Sequence, residues 1–231
     1  DGVISQYNKQ YLEQLLKYNR VLLQRNALLK SFYERNYFDI AALEIYDEQL
    51  SLSGNYLYQE RALFFEKFNA IFNRTHYELT KAQEKVSMAL NSGLNEFKME
   101  DLLIKSLDKD KISQYTNVGI HKDDLVFEID GTAVKKFASQ GQQKTFLVAL
   151  KLAQYAFISE VKNKRPILLL DDVYDKLDET RLNSIMQHIS SDAFGQIFIT
   201  DTHRHRMIEA IEATQKQAAY FEIEKGFLKS Q

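Results

Sequence analysis

The chain has 231 residues, 45% apolar and 27% charged, with no cysteine and a net charge of −2 from 30 basic and 32 acidic side chains. That suits one large or two modest soluble domains with a sizeable core. It excludes a disulfide framework, a thiolate nucleophile and a Cys-based zinc site, and it leaves no whole-chain field to draw the protein to nucleic acid, so any DNA contact must use a local patch. No run approaches the ~20 apolar residues of a membrane helix, and no basic-then-apolar signal segment opens the sequence. The expectation is a cytoplasmic protein with no membrane partner. Residue 1 is Asp and a helical pattern follows at once, which reads as a piece of a longer protein.

Residues 6 to about 110 are expected to be mainly helical. Tyr7, Tyr11, Leu15, Tyr18, Leu22 and Leu29 fall near one face of a helix that ends around Asn36. A second helix is expected over Phe38–Leu50, a break at Ser51–Asn55 around Gly54, and a third helix from Tyr56 to Asn73. Lys85–Leu90 alternates as a strand does, and Phe97–Leu107 reads as helix. After residue 115 the pattern changes. Leu125–Ile129 reads as a strand, and Asp130-Gly131 is a hairpin signal. Gly141–Ile158 has helical spacing, and Ile167–Leu170, beside the sole proline Pro166, suits a strand buried on both faces. Thr180–Ile189 is expected as helix, Gln196–Thr200 as a second buried strand and Arg204–Ala213 as helix. Tyr220–Ile223 with Lys225-Gly226 is expected to close as an edge hairpin. Strand–helix–strand alternation implies an α/β sheet, parallel at its centre.

Four segments could carry chemistry. Ile167–Leu170 ends in Asp171-Asp172, which puts two carboxylates at the edge where open α/β sheets bind ligands. Adjacent strand residues point to opposite faces, so the first suits a magnesium–phosphate cluster and the second a water. Taken alone, a solvated acidic turn accounts for the pair equally well. Ser139-Gln140-Gly141-Gln142-Gln143 precedes an amphipathic helix; serine can cap it, and its unsatisfied N–H groups favour an anion. In Val173–Asp178, Asp178 can cap the helix that follows. Thr200–Arg206 holds His203 and His205 two residues apart, a spacing that does not align metal ligands on one helix face. Each segment alone is ordinary; their order is specific.

That order resembles the C-terminal half of an ABC-type ATPase head, and more closely it is similar to the RecF family, bacterial recombination-repair relatives of the SMC proteins. Ser139–Gln143 resembles the signature motif, Pro166–Asp172 the Walker B strand and Asp175–Asp178 the D-loop. Val118–Leu125 resembles a family-specific segment that normally has proline where Ile120 stands and arginine where Lys122 stands. Ile4-Ser5-Gln6, Tyr18-Asn19-Arg20 and Gln24–Lys30 resemble the start of the helical lobe. The resemblance implies an α/β fold: the C-terminal part of an ABC-ATPase head, a P-loop NTPase-like sheet with helices, joined to a mainly helical lid lobe. It implies a lid and signature lobe with a small β-sheet over residues 1–160 and half of the nucleotide-binding core over 161–231. By the same resemblance Asp171 would hold Mg²⁺ through water, and Asp172 would act as the catalytic group on the attacking water. Ser139, Gly141 and Gln142 would contact ATP bound on a partner protomer, Asp178 would lie at the seam of an ATP-dependent homodimer, and Asp201 would occupy the switch position.

The family resemblance further implies a weak DNA-dependent ATPase acting in recombinational repair, replication restart and the SOS response. It would bind double-stranded DNA and single-strand/double-strand junctions together with RecR. A phosphate loop G-x-x-x-x-G-K needs two glycines five apart, and none of the glycines at 2, 54, 93, 119, 131, 141, 195 and 226 are so spaced. The 231 residues alone are therefore expected neither to bind ATP tightly nor to hydrolyse it. Lys9, Lys17, Arg20, Arg25, Lys30 and Arg35, Lys135-Lys136, and Lys162, Lys164 and Arg165 are basic groups that could meet phosphate, but acidic neighbours leave DNA-contacting residues unassigned. An alternative remains open, a non-enzymatic helical interaction module with a vestigial nucleotide site. An ABC transporter subunit would have a shorter helical lobe, and an SMC head would show long heptads beside the signature helix.

Overall fold

The computed structural model describes residues 1–171 and 177–229, in two compact units: 1–73 with 85–138, and 74–84 with 139–231. These units do not divide at 160/161, where the expected lobes meet: residues 139–160 pack within the second unit.

The first unit is built on long helices. Helix α1 (Gly2–Tyr7) stops at Asn8, whose extended backbone (φ −114°) and side-chain oxygen, accepting from the Tyr11 N–H at 2.9 Å, start α2 (Lys9–Arg35) afresh. An Asn N-cap satisfies one of the orphan donors at a helix start. The α2 helix ends at Asn36 in the left-handed region (φ 48°), where the sequence expected it. The stripe it buries is Tyr11, Tyr18, Val21, Arg25, Leu29 and Phe32. Tyr7, Leu15 and Leu22 only flank that core.

The expected break at Ser51–Asn55 does not occur. Helix α3 runs unbroken from Ile40 to Thr80, about 60 Å at 1.5 Å per residue. Ser51 and Ser53 are buried, and a Cβ on Gly54 would lie 3.3 Å from Met99 Cγ and 3.4 Å from Tyr18 Cε2. Serine and glycine here let neighbouring side chains approach the helix closely, and tertiary packing overrides their weak helix propensity. Helix α4 (Met99–Ser113) completes the core around Leu50, Leu57, Leu94, Met99, Leu103 and Ile120. Strands β1 (Val86–Asn91), β2 (Asp124–Ile129) and β3 (Thr132–Ala133) form an antiparallel sheet in that order, with Met88 opposite Phe127. The β2–β3 turn uses Asp130 (φ 50°) and Gly131 (φ 76°), the two left-handed residues a tight primed hairpin needs. A single turn, α5 (Val134–Phe137), follows.

In the second unit, α6 (Gln140–Lys162) buries Phe146, Ala149, Leu152, Ala153 and Phe157. Strand β4 (Leu168–Asp171), helix α7 (Glu179–Ile189) and strand β5 (Ile197–Thr200) make a strand–helix–strand unit. Its strands pair in parallel, Leu168 opposite Ile197 and Asp171 opposite Thr200. Helix α8 (Arg204–Glu212) follows, then a separate two-stranded ladder, β6 (Ile223–Glu224) with β7 (Phe227–Leu228). The expectation that the parallel strands are buried on both faces fails. Leu168 and Leu170 are buried, but Leu169 is 71% and Phe198 47% exposed. Among the described residues this sheet has two strands, and one of its faces is open.

Candidate functional site

Ser139 is the exposed N-cap of α6 and forms a complete capping box. Its Oγ accepts from the Gln142 N–H at 3.2 Å, and the Gln142 side-chain oxygen accepts from the Ser139 N–H at 2.9 Å. Such a box satisfies two orphan donors at once. It uses the serine oxygen as acceptor and the glutamine oxygen as acceptor, so the hydroxyl proton and the amide NH₂ are the groups that can donate to an anion. Gly141 lies in the same first turn, and its carbonyl accepts from the buried Thr145 hydroxyl at 2.9 Å.

Asp171 is the last residue of β4 and is exposed. The Thr200 hydroxyl, across the parallel pair, donates to its Oδ1. A carboxylate beside a hydroxyl at the carboxyl ends of parallel strands occupies the edge where open α/β sheets bind ligands. Asp172, the expected catalytic group, and residues 173–176 lie outside the described residues. The next residue after β5, Asp201, has its side chain fully buried; its Oδ1 accepts from the His203 N–H at 2.6 Å, and among the described residues its Oδ2 has no hydrogen-bond partner. The ring of His203 is 75% exposed and 3.2 Å from that Oδ1. His205 lies 3.2 Å from Glu209 rather than near His203. Among the described residues no group of three or more His, Asp or Glu could hold a metal ion.

Asp178 caps α7, its Oδ1 accepting from the Arg181 N–H at 2.8 Å. Arg181 also reaches Thr145 Oγ1 (3.1 Å), Glu84 Oε1 (2.7 Å) and Asp178 Oδ2 (3.3 Å). The structure thus joins the first turn of α6 to the cap of α7, two segments the sequence singled out separately. Thr145, Arg181 and Glu84 went unnoticed in the sequence. The spacings Gly141–Thr145 and Asp178–Arg181 carry a weak local signal, whereas Glu84 is 97 positions from Arg181 and carries none.

In the first unit, Val118–Leu125 is a structural clasp. Gly119 has φ 113°, and a Cβ there would sit 2.5 Å from both Met99 Cε and Tyr18 Oη. His121 Nε2 donates to the Thr116 carbonyl (3.1 Å), which leaves Nδ1 to accept from the Tyr18 hydroxyl (2.9 Å) and makes the ring a neutral tautomer. Burial holds the His121 pKa below its ordinary value and raises that of Tyr18. Asp123 pairs with Arg61 at 2.6 Å, and the same guanidinium donates to the Ile120 carbonyl at 2.8 Å. Ile120, where the family segment has proline, is 2% exposed and fills the core.

Arg25 is fully buried rather than a surface cation for phosphate, and it bonds Asp47 (2.5 Å), Asp110 (2.7 Å) and Thr116 (2.9 Å). Lys17 and Arg20 remain exposed.

No protein-family model matches the sequence. Among solved structures, the chain is similar to that of the recombination mediator protein RecF–ATPrS in the RecFOR pathway. The TM-score is 0.79 at 28% identity, over 99% of this chain and 60% of the other. A second, RecF–ATP, gives 0.78 at 29% identity. The chain thus shares the mixed helix-and-strand fold of the RecF structures, with parallel strands in one portion and long helices in the other. It is 46% identical over 223 residues to the DNA replication and repair protein RecF of Flavobacterium johnsoniae, covering 96% of this chain and 62% of the relative. It is 41% identical over 226 residues to that of Parabacteroides distasonis, covering 98% and 61%. The chain is therefore similar to RecF proteins over nearly its whole length. It spans about 60% of the length of the curated relatives it matches. No helix among the described residues is long and apolar enough to cross a membrane.

Proposed function

We propose that this chain supplies the lid and signature lobe (1–160) and half of the nucleotide core (161–231) of an ATP-dependent DNA-binding protein. That protein acts in DNA replication, recombinational repair and the SOS response in the cytoplasm. In this reading two heads sandwich ATP, and the assembly works with RecR on duplex DNA at single-strand/double-strand junctions. The observation that carries it is the presence, within one compact unit, of both an exposed carboxylate at the tip of a parallel strand and an exposed, capped helix start.

The donor set at Asp171 fits magnesium held with ATP. Mg²⁺ keeps most of its waters and takes one or two carboxylates plus phosphate oxygens, and Asp171 is a single exposed carboxylate whose Oδ1 already accepts from Thr200. When bound, Mg–ATP would supply the phosphoryl group and neutralise its charge. The chain's own residues would position it: Asp171 would hold the ion through water, Asp172 would take the proton of the attacking water, and Ser139, Gly141 and Gln142 would contact the γ-phosphate of ATP on the partner protomer. Phosphoryl transfer is promoted chiefly by such positioning and charge stabilisation. The open face carrying Leu169 and Phe198 supports the same reading, since parallel strands are ordinarily covered on both faces.

The test completes the chain to the length of its relatives with the remaining portion of the Flavobacterium johnsoniae RecF and measures Mg²⁺-dependent ATP turnover. Turnover that disappears in Asp171→Ala and Asp172→Ala is the expected result. A completed protein that neither binds nor turns over ATP would favour the interaction-module alternative instead.

A further inference from the structure

A continuous run of polar contacts crosses the second unit. The Thr145 hydroxyl donates to the Gly141 carbonyl (2.9 Å) and accepts from Arg181 Nη1 (3.1 Å); Arg181 Nε then forms an ion pair with Asp178 Oδ2 at 3.3 Å. Each partner is used in a way its chemistry allows, because a hydroxyl can donate once and accept at the same time. Thr145 is fully buried, and the Glu84 side chain that takes the other arm of the guanidinium is 8% exposed. The planar fork of arginine fixes three directions at once, which a lysine ammonium does not.

We infer that Arg181 is a positioning residue that locks the first turn of α6 to the cap of α7, so that the helix start and Asp178 meet a partner protomer as one rigid surface. This rests on the nucleotide-sandwich reading, in which the Gly141 turn meets ATP of the partner and Asp178 the seam. Preorganising two contact elements lowers the ordering cost of association. The effect therefore falls on dimer formation, while ATP affinity within one protomer is set elsewhere.

The experiment uses the chain completed to its relatives' length, with sedimentation for the dimer and a fluorescent ATP analogue for nucleotide affinity. The completed protein must dimerise with ATP and Ser139→Arg must abolish that; if not, the nucleotide-sandwich reading itself falls. Given that behaviour, Thr145→Val removes only the hydroxyl. It raises the dimer dissociation constant about tenfold, as loss of a bond to a charged group implies, with ATP affinity of the monomer unchanged. Thr145→Ser restores parental dimerisation, and Arg181→Gln added to Thr145→Val costs less than the two changes separately. If Arg181→Gln fails to fold, the Val and Ser variants decide alone. Parental dimerisation by Thr145→Val, or equal behaviour of the Val and Ser variants, overturns the inference.

Discussion

Replacing Arg25 with methionine tests how the helical unit is held together. The side chain is fully buried and joins three elements: its own helix α2, Asp47 on α3, and Asp110 on α4, with Thr116 beyond. Asp110 is itself fully buried and also accepts from the N–H and side-chain amide of Asn117, both at 2.9 Å. Methionine fills much of the same volume but strands one fully buried carboxylate and one three-quarters buried. Removing one partner of a buried ion pair costs about 3–5 kcal/mol, because the charge left behind is uncompensated. For a chain of this size that corresponds to a Tm lowered by roughly 10 °C. Arg25→Lys keeps the charge but loses the fork, and is expected to cost about 2 kcal/mol. Urea unfolding followed by circular dichroism measures both, with Arg20→Met on the exposed side of the same helix as control, within about 0.5 kcal/mol of the parent. An Arg25→Met chain that unfolds within about 1 kcal/mol of the parent would refute this account of the cluster.

Two further outcomes are expected in the same unit. Gly119→Ala forces an unfavourable backbone (φ 113°) and drives a methyl into Met99 and the Tyr18 hydroxyl; the expected loss is at least about 2 kcal/mol in the same unfolding assay. His121 is half-buried, with its pKa held below 6.5, desolvation being the largest cause. The unfolded state therefore binds the proton more readily, and stability must fall as pH drops below the unfolded value of about 6.5 towards the folded one. Urea midpoints measured from about pH 8 down to 5 should decline in that window, and His121→Gln should flatten the decline. An unchanged pH profile in the variant would show that His121 does not carry it.

Local chemistry was legible in the sequence wherever one residue type decides the backbone. Asp130-Gly131 gave the hairpin, Asn36 the end of the first long helix, and Ser139 with Gln142 the capped start of α6. The strand–helix–strand order around Asp171 was likewise readable from apolar runs and punctuation. Tertiary context decided the rest. Gly54 reads as a breaker because glycine lowers helix propensity, yet the helix continues because Met99 and Tyr18 pack so near that a Cβ there would lie only 3.3–3.4 Å from them. Arg25 reads as a surface cation because charge usually is solvated, although its place on the stripe between Val21 and Leu29 marked it as inward-facing. Ile167–Leu170 suggested burial on both sides, but a second face is covered only by whatever packs there. The site divides the same way: Asp171, Asp178 and Ser139 stood out at element ends, whereas Glu84 joined Arg181 only through folding.

The most direct test of the central claim is sedimentation of the completed protein with and without Mg–ATP, in parental and Ser139→Arg forms. ATP should convert the parent from monomer to dimer, and Ser139→Arg, which puts a bulky side chain at the capped helix start, should stay monomeric while still binding nucleotide. A Ser139→Arg protein that dimerises with ATP as the parent does would contradict the claim that this helix start closes on a partner's nucleotide.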